Sequence, residues 1–278
     1  MSALSDNALV LLEWYRAIGV DEAIAAAPQD WFARVPIVSA NPAPLSDPSP
    51  PDIKRKPLER AKAPLPQAQP QTALDVSTDV MAARELARSA ANLDELRALL
   101  TNFEGCGLKK TASRLCLSRG SKHARLMLIG EAPGRDEDIQ GEPFVGRAGQ
   151  LLDRMLAAIG LTEADVYITN LVFWRPPGNR TPTPEEVQIC QPFVERQIEL
   201  LGPKLLVFLG NAAAKQLTGA TEGILKLRGK WLTYPLGEGI RAMATLHPAY
   251  LLRTPIAKRL AWRDLIAIRD ALDASSQS

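Results

Sequence analysis

The sequence predicts a three-layer α/β protein, in which a central, mostly parallel sheet of four strands carries helices on both faces. Short apolar runs, each long enough for one buried strand, recur along the second half of the chain. Segments with helical spacing of apolar residues separate these runs. This alternation is typical of a parallel sheet, because each helix returns the chain to the edge at which the next strand begins.

Two segments precede the predicted domain. Residues 1–35 carry leucine and aromatic side chains among acidic ones and are predicted to be helical, a candidate docking module for a protein partner. Residues 36–75 are predicted to be a disordered linker, because nine prolines fall between Pro42 and Gln71 and no core can form from such a stretch. The folded domain is therefore predicted over residues 76–278.

Within this domain, the predicted helices and strands follow one another with short connections. Helix-start signals support two of the helices, since Asp94 lies in the first turn of one and Thr183-Pro184 opens another. The predicted strands are Arg125–Gly130, Val166–Asn170, Leu205–Leu209 and Arg241–Leu246. The predicted helices are Asn92–Phe103, Arg147–Ile159, Thr183–Leu201, Ala212–Leu217 and Ile256–Leu272.

The connection after the first predicted strand is rich in glycine and carboxylates, and we expect it to be an irregular acidic loop. It contains Glu131, Asp136, Glu137 and Asp138. Neither the G-x-G-x-x-G dinucleotide fingerprint nor the G-K-[ST] of a P-loop is present there. Carboxylates in this position suit the positioning of a water molecule or the acceptance of N–H donors.

Three of the predicted strands end at residues with recognition or catalytic chemistry. Gly130-Glu131, Asn170 and His247 lie at the carboxyl ends of these strands. In an open α/β sheet the carboxyl ends of the strands converge on one crevice. The sequence therefore predicts that these residues face one common ligand.

Composition narrows the classes of protein and of partner. The net charge is only +2, but residues 223–270 contain nine Lys or Arg against three acids. These basic residues could contact the phosphate backbone of a nucleic acid or could form a solvated basic face. Because they lie on both sides of His247, we favour contact with DNA. The absence of a long apolar run predicts no membrane span, and three distant cysteines predict no disulfide framework. We expect a monomer of the reducing cytoplasm without a signal peptide.

Four motifs then resemble the uracil-DNA glycosylase superfamily, closest to its type 4, thermostable-type branch. They are GEAPG, PFVGRAGQLLD, Asn170 ahead of RPPGNR, and HPA at His247, and the similarity spans roughly Ala98 to Leu265. The resemblance implies a monofunctional enzyme that hydrolyses the N-glycosidic bond of deoxyuridine in single- or double-stranded DNA, initiating base-excision repair.

The resemblance also implies a uracil pocket. His247 would contact uracil O2 and stabilise the leaving group, and Phe144 would stack on the base. The amide of Asn170 offers a donor and an acceptor, which match uracil O4 and N3–H. The implied uracil-binding residues are Gly130, Glu131, Ala132, Phe144, Asn170 and His247.

The acidic loop departs from the strict single-base enzymes, whose GQDPY motif supplies a water-positioning Asp. Ala132 stands in that place, so the duty passes to Glu131, Glu137 or Asp138, with Glu137 ranked first. Gly134 stands where those enzymes carry Tyr, which would leave room around the 5-position of the base.

The resemblance further implies contacts with DNA outside the pocket. Leu251, Leu252 and Arg253 are candidates for a wedge that fills the space of the flipped base, although the two leucines could equally well begin a helix. Arg175 and Arg180, in RPPGNR, are candidates for phosphate contacts.

Type 4 enzymes typically carry four cysteines that hold a [4Fe–4S] cluster. Here Cys106 and Cys190 match two of the ligand positions, whereas Phe103 and Trp174 occupy the other two. Because two thiolates do not replace four, we expect no cofactor and a hydrophobic plug in this region. Cys116 lies between leucines and is predicted to be a small core residue.

Two alternatives to a uracil-specific glycosylase stay open. One is a broader glycosylase for deaminated bases, including hypoxanthine, xanthine or mismatched substrates. The other is a weakly catalytic protein that binds uracil-containing DNA.

Overall fold

The computed structural model of the chain describes residues 73–237 and 239–275. The predicted N-terminal helical segment, residues 1–35, and the predicted linker up to residue 72 lie outside the described residues. The first described helix begins at Ala73, which is three residues before the predicted start of the domain at residue 76.

The sheet has six strands in the order β1-β3-β2-β4-β6-β5. Neighbouring strands from β3 to β6 run parallel, and the two outermost strands pair antiparallel. The strands are β1 (Arg119–Gly120), β2 (Leu126–Gly130), β3 (Val166–Asn170), β4 (Leu205–Leu209), β5 (Trp231–Thr233) and β6 (Arg241–Thr245). The four predicted strands are confirmed as the parallel centre. The two edge strands were not predicted, because two or three residues carry no readable alternation.

Helices cover both faces of this sheet, as predicted. Short 3₁₀ turns at Gly107–Lys110, Glu163–Asp165, Pro177–Asn179 and Pro255–Ala257 join several elements. The helices are α1 (Ala73–Ser89), α2 (Leu93–Asn102), α3 (Arg135–Gln140), α4 (Arg147–Ala157), α5 (Pro184–Leu201), α6 (Asn211–Thr218), α7 (Ile224–Leu227), α8 (Pro248–Arg253) and α9 (Lys258–Ala274). Among the described residues, no helix combines the length and the apolar character needed to cross a bilayer.

Strand β2 explains how the three layers form. Its residues are all buried, and successive side chains point to opposite faces of the sheet. Met127 and Ile129 belong to the core that packs against α1, α2, α5 and α6. Leu126 and Leu128 belong to the core that packs against α4 and α9. An apolar run without alternation is therefore the sequence of a strand that is covered on both sides.

The helix-start signals of α5 act as predicted. Thr183 caps the helix, since its hydroxyl accepts a hydrogen bond from the Glu186 N–H at 3.3 Å. The Glu186 carboxylate accepts from the Thr183 N–H at 2.8 Å, which completes a capping box. Pro184 occupies the first turn, where its missing N–H has no helical partner to lose.

The prediction of an irregular loop after β2 was wrong in part, because residues Arg135–Gln140 form helix α3. The helix begins after Gly134, whose N–H donates to Glu137 Oε2 at 3.1 Å. It ends at Gly141, which takes the left-handed conformation with φ of 82°. A helix of six residues without an apolar stripe gives no periodic signal, so α3 could not be predicted from the sequence.

Candidate active site

A pocket of about 530 Å³ opens at the carboxyl ends of β2, β3, β4 and β6. The convergence predicted for three strand ends is thus present, and a fourth strand end joins it. Of the predicted uracil-binding residues, the pocket is lined by Glu131, Ala132, Phe144, Asn170 and His247. Gly130 lies directly behind this lining. A Cβ at Gly130 would stand 2.4 Å from Asn170 Oδ1 and 2.6 Å from Phe144 Cζ, so only glycine permits this packing.

Phe144 is held in the pocket by a strained backbone. Its φ is 58°, which is unusual for a residue with a bulky side chain, and the side chain is buried. Helix α4 approaches it so closely that a Cβ at Gly149 would lie 1.6 Å from the Phe144 carbonyl oxygen. The Phe144 ring centroid lies 5.6 Å from that of His247. The two rings therefore stand close enough to contact the same planar ligand.

Asn170 presents an unpaired polar atom at the end of β3. The residue is 1% exposed, and its Oδ1 finds no hydrogen-bond partner among the described residues. Leaving a buried acceptor unpaired costs about 1–3 kcal/mol, so such an atom in a native protein calls for a functional or structural explanation. The edge-reading role of Asn170 stays a prediction, and its Oδ1 is available to a ligand in the pocket.

His247 is the N-cap of α8, and its hydrogen bonding fixes its proton. Its Nδ1 accepts the Ala249 N–H at 3.1 Å. Burial, with a smaller contribution from Arg253, lowers the pKa of His247 from 6.5 to about 4. At neutral pH the ring is therefore uncharged, and its single proton resides on Nε2. The imidazole can act as a neutral hydrogen-bond donor.

The two predicted catalytic carboxylates occupy different environments. Glu137 is buried, and its oxygens accept the N–H of Gly134 at 3.1 Å and the N–H of Gly146 at 2.9 Å. Glu131 is half-buried and lines the pocket, and burial raises its pKa. Among the residues that the structure describes, no side-chain hydrogen bond or ion pair engages Glu131. Glu137 also lines the pocket, so the ranking that puts it first as water positioner stays a prediction.

Two further features of the acidic segment differ from the sequence expectation. Asp138 is buried, and its Oδ1 accepts the Ser113 N–H at 2.7 Å, so it ties α3 to a neighbouring loop. A Cβ at Gly134 would lie 2.7 Å from Glu137 Oε2. The space beside Gly134 is thus filled by the Glu137 carboxylate, which reduces the room that we expected there.

The candidate phosphate-binding arginines are engaged by protein groups. Arg175 Nε donates to Asn179 Oδ1 at 2.7 Å. Arg180 donates twice to the Glu186 carboxylate, at 2.6 and 2.8 Å. Arg180 and Asn179 line the pocket. Both arginines therefore hold the RPPGNR segment in place as a wall of the pocket.

The three candidate residues of the DNA wedge differ in their exposure to solvent. Leu251 is 1% exposed and packs with Leu246, Ala257 and Ala261, so its prediction as a wedge was wrong. Leu252 is 38% exposed, and Arg253 is exposed and lines the pocket. For Leu251 the alternative interpretation holds, since this leucine belongs to the buried face of α8.

The residues at the cluster-ligand positions form one buried group, which we call the thiol core: Phe103, Cys106, Trp174 and Cys190. The sulfur atoms of Cys106 and Cys190 lie 3.9 Å apart. The Phe103 ring packs on Phe193, with 5.2 Å between ring centroids, and also covers Gly105. Two thiols among packed aromatic rings do not supply the four-thiolate set of a [4Fe–4S] cluster. Cys116 is also buried, as predicted, and burial raises its pKa to about 12.

Several pocket residues were not singled out from the sequence. They include Asn211, which begins α6 directly after β4, and Tyr250, which follows HPA. The convergence of strand ends, applied to β4 as it was to the other three strands, would have found Asn211. Asn179 also lines the pocket and has a φ of 55°, for which Gly-Asn in a turn is a usable signal.

Comparisons with known proteins agree with the geometry. The sequence profile described as the Uracil DNA glycosylase superfamily matches residues 117–266. The "Type-4 uracil-DNA glycosylase" of Archaeoglobus fulgidus is 41% identical over 169 residues, which cover 59% of this chain and 85% of the relative. That of Thermotoga maritima is 43% identical over 149 residues, covering 53% and 77%. A "Type-5 uracil-DNA glycosylase" of Pyrobaculum aerophilum is 32% identical over 150 residues, covering 48% and 64%.

Proposed function

The chain belongs to the uracil DNA glycosylase superfamily, and we propose that it removes uracil from DNA by hydrolysing the N-glycosidic bond of deoxyuridine, the first step of base-excision repair. One observation carries this proposal beyond the family: Phe144, Asn170 and His247 line a single pocket with complementary chemistry. They provide an aromatic ring, an unpaired buried amide oxygen and a neutral N–H donor.

Recognition begins when the nucleotide leaves the base stack and enters the pocket. The base stacks on Phe144. The Asn170 amide donates to uracil O4, and its unpaired Oδ1 accepts from N3–H. Cytosine presents the reverse pattern at these two atoms, so the same amide disfavours it. The buried acceptor becomes satisfied only when the correct base is bound, which makes it a source of discrimination.

The reaction then breaks the bond between C1′ and N1, and negative charge develops on the departing uracil. His247 stabilises this charge by donating its Nε2–H to O2. A neutral donor already fixed by the Ala249 N–H needs no reorganisation during the reaction. Its hydrogen bond strengthens as charge accumulates, so it lowers the barrier more than it strengthens substrate binding.

We assign the water to Glu131. Its carboxylate faces the pocket and is free of protein partners within the described residues, and its raised pKa suits a general base. A water held there attacks C1′, the new C–O bond forms at the carbon that loses uracil, and the proton passes to Glu131. Glu137 acts as a positioning residue, because it binds the N–H groups of Gly134 and Gly146 on either side of the acidic segment.

Outside the pocket, we propose that the exposed Leu252 and Arg253 contact DNA beside the flipped nucleotide. Arg175 and Arg180 first position the RPPGNR segment, because both donate hydrogen bonds to protein groups there. Contacts of these arginines with phosphates depend on that positioning.

We further propose that the enzyme works without an iron–sulfur cluster, in the reducing cytoplasm that suits three buried thiols. Iron and sulfide analysis after anaerobic purification tests this. We expect less than one iron per chain, whereas about four irons per chain, lost in Cys106→Ala, would show that another ligand set exists.

Single-turnover excision tests the proposed function. Matched oligonucleotides carry uracil, thymine, hypoxanthine or xanthine at one position, each single- and double-stranded, with His247→Ala as the control enzyme. Release of free uracil, far faster than release of the other bases and strongly reduced in the control, supports the proposal. Comparable release of hypoxanthine or xanthine would establish a broader glycosylase, and tight binding without release would establish a binding protein.

A further inference from the structure

A second cavity, of about 370 Å³, lies between α4 and the α8–α9 segment, apart from the nucleotide pocket. Its floor is apolar and includes Leu151, Met155, Leu251 and Leu265. Such a floor offers no hydrogen bonds to a phosphate or sugar. Its volume suits one or two large apolar side chains from another molecule.

The rim of this groove is cationic. Arg154, Lys258 and Arg259 line it, and no carboxylate does. Within the described part of the chain, none of these three forms an ion pair or a side-chain hydrogen bond. Elsewhere the arginines are commonly paired, as Arg228 is with Asp264 and Arg196 with Glu199. The groove therefore presents unneutralised positive charge around an apolar centre.

Trp262 completes the rim and is 44% exposed. Exposed tryptophan, methionine and arginine are the residue types enriched where proteins bind other proteins, and a concave apolar patch of this kind marks such a surface. Helix α8 separates the groove from the nucleotide pocket: Tyr250 and Arg253 face the pocket, whereas Leu251 lines the groove.

We propose that this groove docks a short acidic peptide segment of a partner protein, which inserts an apolar side chain between Met155 and Trp262. Carboxylates that flank the inserted side chain pair with Arg154, Lys258 and Arg259. A DNA strand matches the cations but not the concave apolar floor, so the peptide is the better complement. The docked partner lies on the far side of α8 from the flipped nucleotide and leaves the pocket free.

Fluorescence anisotropy with the full-length chain tests the proposal. The probe is a short fluorescein-labelled peptide in which Asp and Glu flank a central Leu-Phe pair. One control peptide replaces Leu and Phe with Ala, and another replaces the acids with Lys. The protein variants are Ala158→Trp, which fills the groove from its exposed rim, and the pair Lys258→Glu with Arg259→Glu. The matched control pair, Lys204→Glu with Lys215→Glu, makes the same charge change at exposed positions outside the groove.

We expect saturable binding of the acidic Leu-Phe peptide alone. Each groove variant should weaken it by about tenfold or more, and the control pair should leave it nearly unchanged. Equal binding of the Ala peptide, equal binding by the groove variants or the absence of binding overturns the proposal. So does a uracil-free single strand whose affinity falls only in the groove variants, which would make this a DNA surface. A concentration-dependent dimer abolished by Ala158→Trp would assign the groove to a second copy of the chain. Thermal melting of each variant verifies that it is folded.

Discussion

The nucleotide pocket and the thiol core both contain buried side chains, but they differ in whether those side chains find partners within the protein. In the pocket, Asn170 Oδ1 is buried without a partner and Phe144 holds a strained backbone. In the thiol core, aromatic rings pack against one another and the sulfur atoms of Cys106 and Cys190 contact each other. In the described part of the chain, the pocket contains a buried acceptor without a partner, whereas the thiol core is filled by its own side chains. Substitutions should therefore separate the two regions: those in the pocket should reduce the rate, and those in the thiol core should reduce stability.

The largest effect is expected for Phe103→Ala in the thiol core. Removing a buried phenylalanine ring costs about 3–5 kcal/mol in the free energy of unfolding, because a cavity remains where the ring packs on Phe193. Urea unfolding measures this loss, and Phe103→Leu should lose much less. Single-turnover excision, at a temperature where both variants stay folded, should match the parent. A large fall in rate at full folding would contradict the separation of the two regions.

His247→Ala should instead reduce the rate of excision and leave the stability of the fold nearly unchanged. One preorganised donor is worth about 10²–10³ in rate, so the chemical step should slow by that factor while DNA affinity changes little. Unfolding should remain close to that of the parent, since the ring is only half-buried and its hydrogen bond is to a helix end. Excision at saturating enzyme and binding to uracil-containing DNA are measured separately. If the variant excises uracil at the rate of the parent but has lost DNA binding, His247 takes no part in the chemical step.

Asn170→Asp should have a smaller effect with a specific signature. The carboxylate cannot donate to uracil O4, which costs about 1–3 kcal/mol in the free energy of activation for uracil. It can accept from the cytosine 4-amino group, so the preference for uracil over cytosine should narrow. Single-turnover rates on otherwise identical single strands give both values. If uracil excision and the preference are unchanged, Asn170 is a structural residue at a strand end.

At neutral pH the smallest effect comes from the titration of His247. Because the folded pKa of His247 is about 4, below its ordinary 6.5, the unfolded chain binds the proton more tightly. His247 therefore lowers stability progressively as pH falls from about 6.5 to 4 and has no such effect above that window. Urea midpoints of the parent should fall below those of His247→Gln as pH is lowered across this range, because Gln carries no titrating group. Parallel curves would mean that the imidazole titrates normally in the fold.

Much of this architecture follows from the sequence, and the reason is local. Leu205–Leu209 and Val166–Asn170 are strands because their apolar side chains meet a core on both faces of the sheet. Asn170 and His247 were identified as site residues from motifs that resemble those of the superfamily, and the convergence of strand ends predicted that they share one crevice.

What the sequence could not provide depends on contacts between distant segments. Leu251 and Leu252 are adjacent and chemically identical, and only the packing of α8 on Ala257 and Ala261 makes one buried and the other exposed. Glu137 and Glu131 are the same residue type, yet Glu137 accepts a hydrogen bond from the N–H of Gly146, nine positions along the chain. The short strand β5 is defined by its antiparallel pairing with β6, and its own three residues carry no strand signal.

Gly149 constrains how this enzyme can evolve. Any side chain there would meet the Phe144 carbonyl, since a Cβ would stand only 1.6 Å from that oxygen. Every non-glycine substitution at this position therefore shifts the backbone that carries the base-stacking ring, although position 149 contacts no substrate. No change of side chain at position 144 can relieve this contact, because it is made with backbone atoms that every residue carries. We therefore expect changes of base specificity to arise at other positions that line the pocket, such as Ala132 or Tyr250.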